Sequence, residues 1–207
     1  MKAQKFVLVD SLKSNQTINV LENEKKTVFI LLTSGESQDG HVQIDMKGKN
    51  SSAQILGVVI GSGKQIINLH TFQDHMAGES QSDLLIKSVL FDCSKFNYEG
   101  LIRIEKDAQR SNAYQKNQNL LLSESSWANS QPKLEILAND VRCTHGATIG
   151  QINPEQMYYL KTRGLTDASA KKILVEGFIQ DVVGRIEDED IKKKIYGKIE
   201  TVIRSKL

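Results

Sequence analysis

Short apolar bursts recur from Phe6 to Leu137 at a cadence of about ten to fourteen residues, each bounded by Gly, Asn, Ser or Asp. They run Phe6 to Val9, Ile18 to Leu21, Val28 to Leu32, Val42 to Met46, Ile55 to Ile60 and Ile66 to Leu69. The cadence continues through Leu84 to Phe91, Phe96 to Ile104, Leu120 to Leu122 and Leu134 to Leu137. Ile, Val and Leu dominate, no proline precedes Pro132, and no helical period competes, so each burst reads as a strand. Val42, Ile44 and Met46 alternate with polar residues, which gives at least one strand a wet face. Regular short strands without intervening helices leave a sandwich, a barrel or a parallel β-helix, and cadence alone does not choose among them.

After Gly150 the period changes from about two to about three and a half. This sets an expected boundary between a β body over residues 1–150 and a small helical domain over residues 151–207. Asn153, Pro154 and Gln156 read as an N-cap, a proline at the first helical position and the partner of a capping box. Gly164 supplies the stop, so the first helix is expected from Pro154 to Arg163. A second helix start follows at Thr166 and Asp167, with Ala170, Ile173, Leu174, Phe178, Val182, Val183 and Ile186 as its apolar stripe. The acidic run from Glu187 to Asp190 precedes a third stripe of Ile191, Ile195, Ile199, Val202 and Ile203, whose other faces carry lysines.

A chain of 207 residues buries one good core, or one core and a small satellite, and 39% hydrophobic with 25% charged residues is ordinary for a soluble globular protein. A net charge of +2, with no run of Lys or Arg interleaved with aromatics, argues against nucleic acid as a partner. Only Cys93 and Cys143 are present, without a CxxC, which excludes a disulfide framework or a self-contained cluster site and fits a reducing cytoplasm. The opening MKAQKFVLVDSLKS reads as neither a signal peptide nor a membrane span, because Asp10 breaks its short apolar run.

Candidates for chemistry are few. Cys143 and His145 stand two apart, so on extended backbone they share a face, the smallest arrangement able to hold a soft metal or relay a proton. On pattern alone, a buried thiol and a hydrogen-bonded imidazole at a strand-to-helix corner is the plainer reading. His70 and His75 offer two imidazoles with Asp74 between, but their odd spacing places them on opposite faces of a strand. Gly57, Gly61 and Gly63 in ILGVVIGSGK imitate a phosphate loop, yet Lys64 is followed by Gln65 and no helix follows to be capped. The amide-rich block from Asp107 to Asn119 suits solvated turns or stacked polar ladders. Glu105, Asp107 and Glu124 are available to a carbohydrate-cleaving β-helix, though no spacing marks a pair.

The runs NAYQKNQNLLLS, PKLEILANDVRCTHGATIGQI and EQMYYLKTRGL, followed by the helix from Ala170 to Phe178, resemble the C-terminal half of the SufB/SufD family, and SufD more than SufB. These are scaffold proteins of SUF iron-sulfur cluster assembly. The likeness covers about His70 to Phe178, and the earlier strands fit it only by cadence. It implies a mainly β fold, a right-handed parallel β-helix core followed by a small C-terminal α-helical domain. It further implies docking of a SufC-like ABC ATPase on that helical domain and edge-to-edge pairing with another SufB/D-type chain, itself or a different one, with no nucleotide bound by this chain.

The THGAT histidine that the family associates with the nascent cluster corresponds to His145, and the adjoining thiol to Cys143, each expected to act with ligands from a partner chain. SufB-type chains carry an HEAT-like sequence here and a functional cysteine shortly before, whose place falls near Ser126. Serine does not replace thiolate as a soft iron ligand, so the chain is expected to be SufD-like and unable to hold an iron-sulfur cluster alone. The usual N-terminal helical region is missing, so the expectation is a short form. The expected role is therefore a non-catalytic scaffold in the cytoplasm. The alternatives are a carbohydrate-active β-helix hydrolase or lyase and a structural adaptor that holds no cluster.

Overall fold

The computed structural model describes residues 5–33 and 35–207; Met1 to Gln4 of the opening stretch lie outside the described residues. Among the described residues, eleven strands are followed by three helices. The strands are β1 (Lys5–Val9), β2 (Gln16–Val20), β3 (Lys25–Leu32), β4 (Gln38–Met46), β5 (Ser52–Gly61) and β6 (Ile66–His75), then β7 (Gln81–Leu90), β8 (Lys95–Ile104), β9 (Asn112–Leu121), β10 (Trp127–Ile136) and β11 (Arg142–Gln151). The helices are α1 (Pro154–Thr162), α2 (Asp167–Val183) and α3 (Glu189–Arg204).

Odd strands form one sheet in the order β1-β3-β5-β7-β9-β11, and even strands form a second in the order β10-β8-β6-β4-β2. Every pairing is parallel. Each coil thus contributes one strand to each sheet, which is the topology of a parallel β-solenoid. Ser52 pairs with Gln81, Gln81 with Asn112 and Asn112 with Arg142, a return of 29 to 31 residues. The cadence of apolar bursts in the sequence is about half of that coil.

The two faces of each sheet explain the local patterns. Val28, Ile55 and Leu84 lie in register and point into the lumen, where Ile30, Leu69, Phe96 and Tyr98 are also buried. Each such side chain, moved from water to this interior, contributes about 1.5–3 kcal/mol. The opposite face of the odd sheet is also dry, because Phe29, Leu56, Val58 and Leu85 pack against Val175, Ile179 and Val182 of α2 and Ile195 and Ile199 of α3. Strands β3 and β5 are therefore largely apolar on both faces and read as near-continuous hydrophobic runs, and β7 is buried on both faces with Lys87 and Ser88 inside its run. The even sheet turns its outer face to solvent, and β8 alternates buried and half-buried along most of its length.

One border of the solenoid is built from a stack of left-handed turn residues. Asn23, Asn50, Glu79 and Arg110 have φ of 54°, 55°, 58° and 60°. The amide of each donates to a carbonyl of the next coil, Asn23 to Lys49 at 3.1 Å, Asn50 to Gly78 at 3.3 Å and Glu79 to Gln109 at 2.9 Å. Asparagine tolerates this conformation because its short side chain bonds locally, and Asn50 Nδ2 donates to Asn23 Oδ1 at 2.9 Å. Gly48 sits in the same stack, where an added Cβ would collide with the backbone of Glu22.

The helices follow their caps. Asn153 accepts from the amide of Glu155, Thr166 from Ser169, and Asp188 from Asp190 and Ile191. The first helix ends at Thr162 with Arg163 as its C-cap and Gly164 at φ 88°, one residue short of the expected end. The buried face of α2 differs from the expected stripe: Val175 and Ile179 are buried, whereas Ile173 is 44% exposed. The sheet beneath α2 sets that rotation, since Val175, Ile179, Val182 and Val183 together meet the dry face of the odd strands. No described helix is long and apolar enough to cross a membrane.

Candidate functional site: the open end of the solenoid

The lumen changes character along its length. The inward column Val28-Ile55-Leu84 continues into Gln115 of β9 and then His145 of β11. The neighbouring column Ala53-Ser82-Ala113 ends in Cys143. A third runs Leu32-Val59-Ser88-Asn119 and ends in Ile149. The core is thus aliphatic in the early coils and amide-rich in the late ones.

Those amides are paired. Gln73 Nε2 donates to Gln115 Oε1 at 3.1 Å, and Gln115 Nε2 to the carbonyl of Gly100 at 3.1 Å. Asn117 Nδ2 donates to the carbonyl of Ile86 at 3.2 Å. Ser88 Oγ donates to Asn119 Oδ1 at 2.7 Å, while Asn119 Nδ2 donates to Asn117 Oδ1 at 2.8 Å and to the carbonyl of Thr148 at 3.1 Å. Of the block read as turns or polar ladders, residues 107–111 are the turn before β9 and residues 112–119 lie in β9, whose alternate amides form an internal ladder. Asn119 ties β7, β9 and β11 together.

Strand β11 is the last of the odd sheet and β10 the last of the even sheet, so the far edge of each has no strand partner among the described residues. The cluster read as a strand-to-helix corner is this edge strand itself. Cys143 and His145 both occupy inward columns, at an end of the solenoid that no further coil covers. His145 is exposed and Cys143 half-buried. The thiol packs beside Ile102, Ile104, Ala108 and Ala113, and burial pushes its pKa up to about 11. At neutral pH it is a protonated thiol, and an incoming soft metal has to displace that proton.

Among the described residues no group of three or more His, Cys, Asp or Glu is placed to hold a metal ion. Two donors on one edge strand are half of the four ligands that an iron-sulfur cluster takes. Ser126, at the place of the SufB-type cysteine, is a buried turn residue whose hydroxyl donates to the carbonyl of Ser123 at 2.7 Å. The edge accordingly offers a partial ligand set that a second surface would have to complete.

The remaining candidates separate. His70 and His75 lie on opposite faces of β6, as their spacing predicts. His75 is wholly buried, with Nδ1 2.7 Å from Ser80 Oγ and Nε2 2.8 Å from Ser82 Oγ, and burial lowers its pKa to about 4. It is a core histidine with both nitrogens satisfied. Glu105 and Asp107 sit in the turn between β8 and β9, while Glu124 sits in the turn between β9 and β10, at the opposite border of the two sheets. Glu105 is moreover paired with Arg103 at 3.0 Å, so these acids form no facing pair. Gly63 (φ 61°) lies in the turn between β5 and β6 and its amide donates to Asp92 Oδ2 at 2.7 Å, a coil corner with no helix behind it.

Apolar side chains are exposed around the same end. Ile136, Leu137 and Ile149 flank the open coil, and Tyr158 and Tyr159 of α1 are 73% and 56% exposed. Helix α1 buries none of its residues, so it is held mainly by its junctions with β11 and α2. Sequence reasoning missed the lumenal amide ladder as a support for β11; the alternation of Gln115, Asn117 and Asn119 was the available signal.

Together these features define a parallel β-solenoid with a helical C-terminal appendage and soft donors on an uncovered sheet edge. Residues 12–178 match the family described as SUF system FeS cluster assembly, SufBD core domain. Over 183 residues the chain is 29% identical to the iron-sulfur cluster assembly protein SufD of Escherichia coli (strain K12), covering 87% of this chain and 43% of that protein. It is 33% identical over 147 residues to SufD of Bacillus subtilis (strain 168), covering 71% of this chain and 34% of that one. A SufBD family protein of Synechocystis, slr0076, is 29% identical over 146 residues. The chain belongs to the SufB/SufD family and is SufD-like. It spans less than half the length of these curated relatives.

Proposed function

We propose that this chain is a non-catalytic scaffold of iron-sulfur cluster assembly, in which the open edge at β11 receives a second SufB/D-type chain. His145, with Cys143 beside it, supplies part of a ligand set that the partner completes, and the cluster is transient cargo at the shared border. The observation that carries this reading is the position of His145, exposed on an edge strand of a solenoid end left uncovered. An unpaired parallel edge is a template for another chain's strand, and exposed Ile136, Leu137 and Ile149 favour covering it.

The chain divides in this reading into the solenoid over residues 1–150 and a docking segment over residues 151–207. Tyr158, Tyr159 and Ile173 give that segment an exposed apolar surface suited to a SufC-like ABC ATPase. Nucleotide-driven closure of two such ATPase subunits, passed through α2 to the odd sheet, would open or close the shared border. The chain itself binds no nucleotide and works in the cytoplasm, where Cys93 and Cys143 stay as thiols.

Anaerobic reconstitution with iron and sulfide, with and without a SufB-type chain, tests the reading. Cluster absorbance is expected only with the partner present, and His145→Ala is expected to reduce it while leaving the fold intact. Equal cluster loading by the variant would remove His145 from the role. Complex formation with no cluster under any condition would favour a purely structural adaptor.

A further inference from the structure

Among the described residues the solenoid has four outer strands, β1 and β11 in the odd sheet and β2 and β10 in the even sheet. A strand with one unpaired side offers its amides and carbonyls to another chain, and short length, proline or charge blunts such an edge. Three of the four edges are blunted in this way. Strands β1 and β2 have five residues each. Strand β10 carries Pro132, Lys133 and Glu135. Strand β11 runs for ten residues without proline, and from Cys143 to Gln151 it contains no Asp, Glu, Lys or Arg.

The direction of each backbone group follows from the pairing. In a parallel ladder the N–H and C=O of one residue point to one neighbouring strand, and those of the next residue point to the other side. The amides of Trp127 and Leu137 donate to the carbonyls of Ser94 and Ile104 at 3.0 and 2.9 Å, so the odd-numbered residues of β10 face β8 and the even-numbered ones face outward. Pro132, which has no N–H to give, therefore sits on the free edge, sixth of the ten residues of β10. In β11 the amide of Arg142 donates to the carbonyl of Ser111 at 3.0 Å, so Cys143, His145, Ala147, Ile149 and Gln151 turn their N–H and C=O outward. Ala147 holds in β11 the sixth place that Pro132 holds in β10. No residue of β11 is buried.

We propose that Pro132 makes the joining of two chains one-sided: the partner's strand adds to β11 through the outward amides and carbonyls of Cys143, His145, Ala147, Ile149 and Gln151, while the β10 edge stays closed. The occupant is an extended strand of the second SufB/D-type chain of the scaffold reading, on which this assignment rests. An incoming strand bonds to alternate residues of the edge it joins. On β11 every such residue has both its donor and its acceptor, so the new ladder is continuous. On β10 the same ladder breaks at its centre, where the pyrrolidine ring stands in place of a donor and leaves the opposing carbonyl unpaired. Pro132 thereby selects which of the two sheets is extended across the border.

Residue-resolved amide exchange of the full chain, alone and with a SufB-type partner, tests the proposal. The amides of Cys143, His145, Ala147, Ile149 and Gln151 should slow in the complex, while those of Ala128, Ser130, Leu134 and Ile136 on the β10 edge stay fast. Ala147→Pro removes one outward N–H and no bond to β9, so it should weaken partner binding by about tenfold or more beyond the loss in Ala147→Val, which keeps that amide. Thermal melts show whether both variants fold, and the exchange pattern of the unaltered chain needs neither. Protection of the β10 amides equal to that of the β11 amides, or equal binding by two folded Ala147 variants, would overturn one-sided joining and leave the scaffold reading in place. Absence of any complex would overturn that reading, and one-sided joining with it.

Discussion

Lys87 Nζ lies 2.8 Å from Asp181 Oδ2, and this contact fixes α2 to the middle of the odd sheet. The lysine side chain is 6% exposed and its ammonium also stands 4.3 Å from the centre of the Phe178 ring, so the charge is withdrawn from water and relies on two partners. The same contact holds the Asp181 carboxyl below its ordinary range. Asp181 is itself half exposed, but removing it leaves the buried ammonium of Lys87 uncompensated. Asp181→Ala is therefore expected to destabilise the chain by about 2–3 kcal/mol and to speed amide exchange across α2. Lys87→Met should cost less, because the methionine fills the same space beside Phe178. Chemical denaturation with exchange mass spectrometry reads both, and equal costs for the two variants would show that packing, not charge, holds the helix.

The lumenal ladder makes a prediction about the edge strand. Asn119 accepts from Ser88 and donates to Asn117 and to the carbonyl of Thr148 in β11. Asn119→Ala leaves these groups without a partner in a dry interior, at an expected cost of about 1–3 kcal/mol. The loss should concentrate at the end that carries His145, as faster exchange over residues 142–151 than over residues 52–61. Uniform loosening of all coils would contradict the assignment of Asn119 as a local tie.

His75 predicts a pH dependence of stability. Its pKa is lowered to about 4 in the fold by burial, against about 6.5 in an unfolded chain. The unfolded chain therefore takes up a proton first as pH falls, so stability is full above about pH 6.5 and declines toward pH 4. The decline attributable to this group is on the order of 3 kcal/mol. Denaturant midpoints measured from pH 7.5 to 4.5 should fall. A flat profile would show that His75 protonates inside the fold without penalty.

A packing prediction follows from Gly48. An added Cβ there would run into the backbone of Glu22 in the preceding coil, which no side-chain rotation relieves. Gly48→Ala is expected to cost about 1–3 kcal/mol, seen as a lowered melting temperature, whereas Gly146→Ala on the open strand meets nothing within 4 Å and should be nearly neutral.

Much of this architecture is written in local patterns, and the exceptions have physical causes. The caps at Asn153, Thr166 and Asp188 are each satisfied within three residues, so the helix starts are legible without tertiary information. The apolar bursts mark strands, but bursts in β3 and β5 lose their alternation because α2 and α3 dry their outer face, which no single strand reveals. The amides of β9 left turns and stacked polar ladders equally open, since the partners that make them a ladder lie on other coils. Val175 and Ile179 were missed as the buried face of α2 because the sheet selects it. The choice of a parallel solenoid came from family likeness and not from periodicity, whereas the spacing of Cys143 and His145 marked them as donors on one face and the likeness attached them to a cluster.

The central claim is that the edge of β11 receives a second SufB/D-type chain. Hydrogen-deuterium exchange over residues 142–151, compared between the isolated chain and its complex with a SufB-type partner, measures this directly. Strong new protection of that segment, with the outer face of the even sheet unchanged, is the predicted result. A complex that forms while residues 142–151 exchange as fast as in the free chain would contradict it.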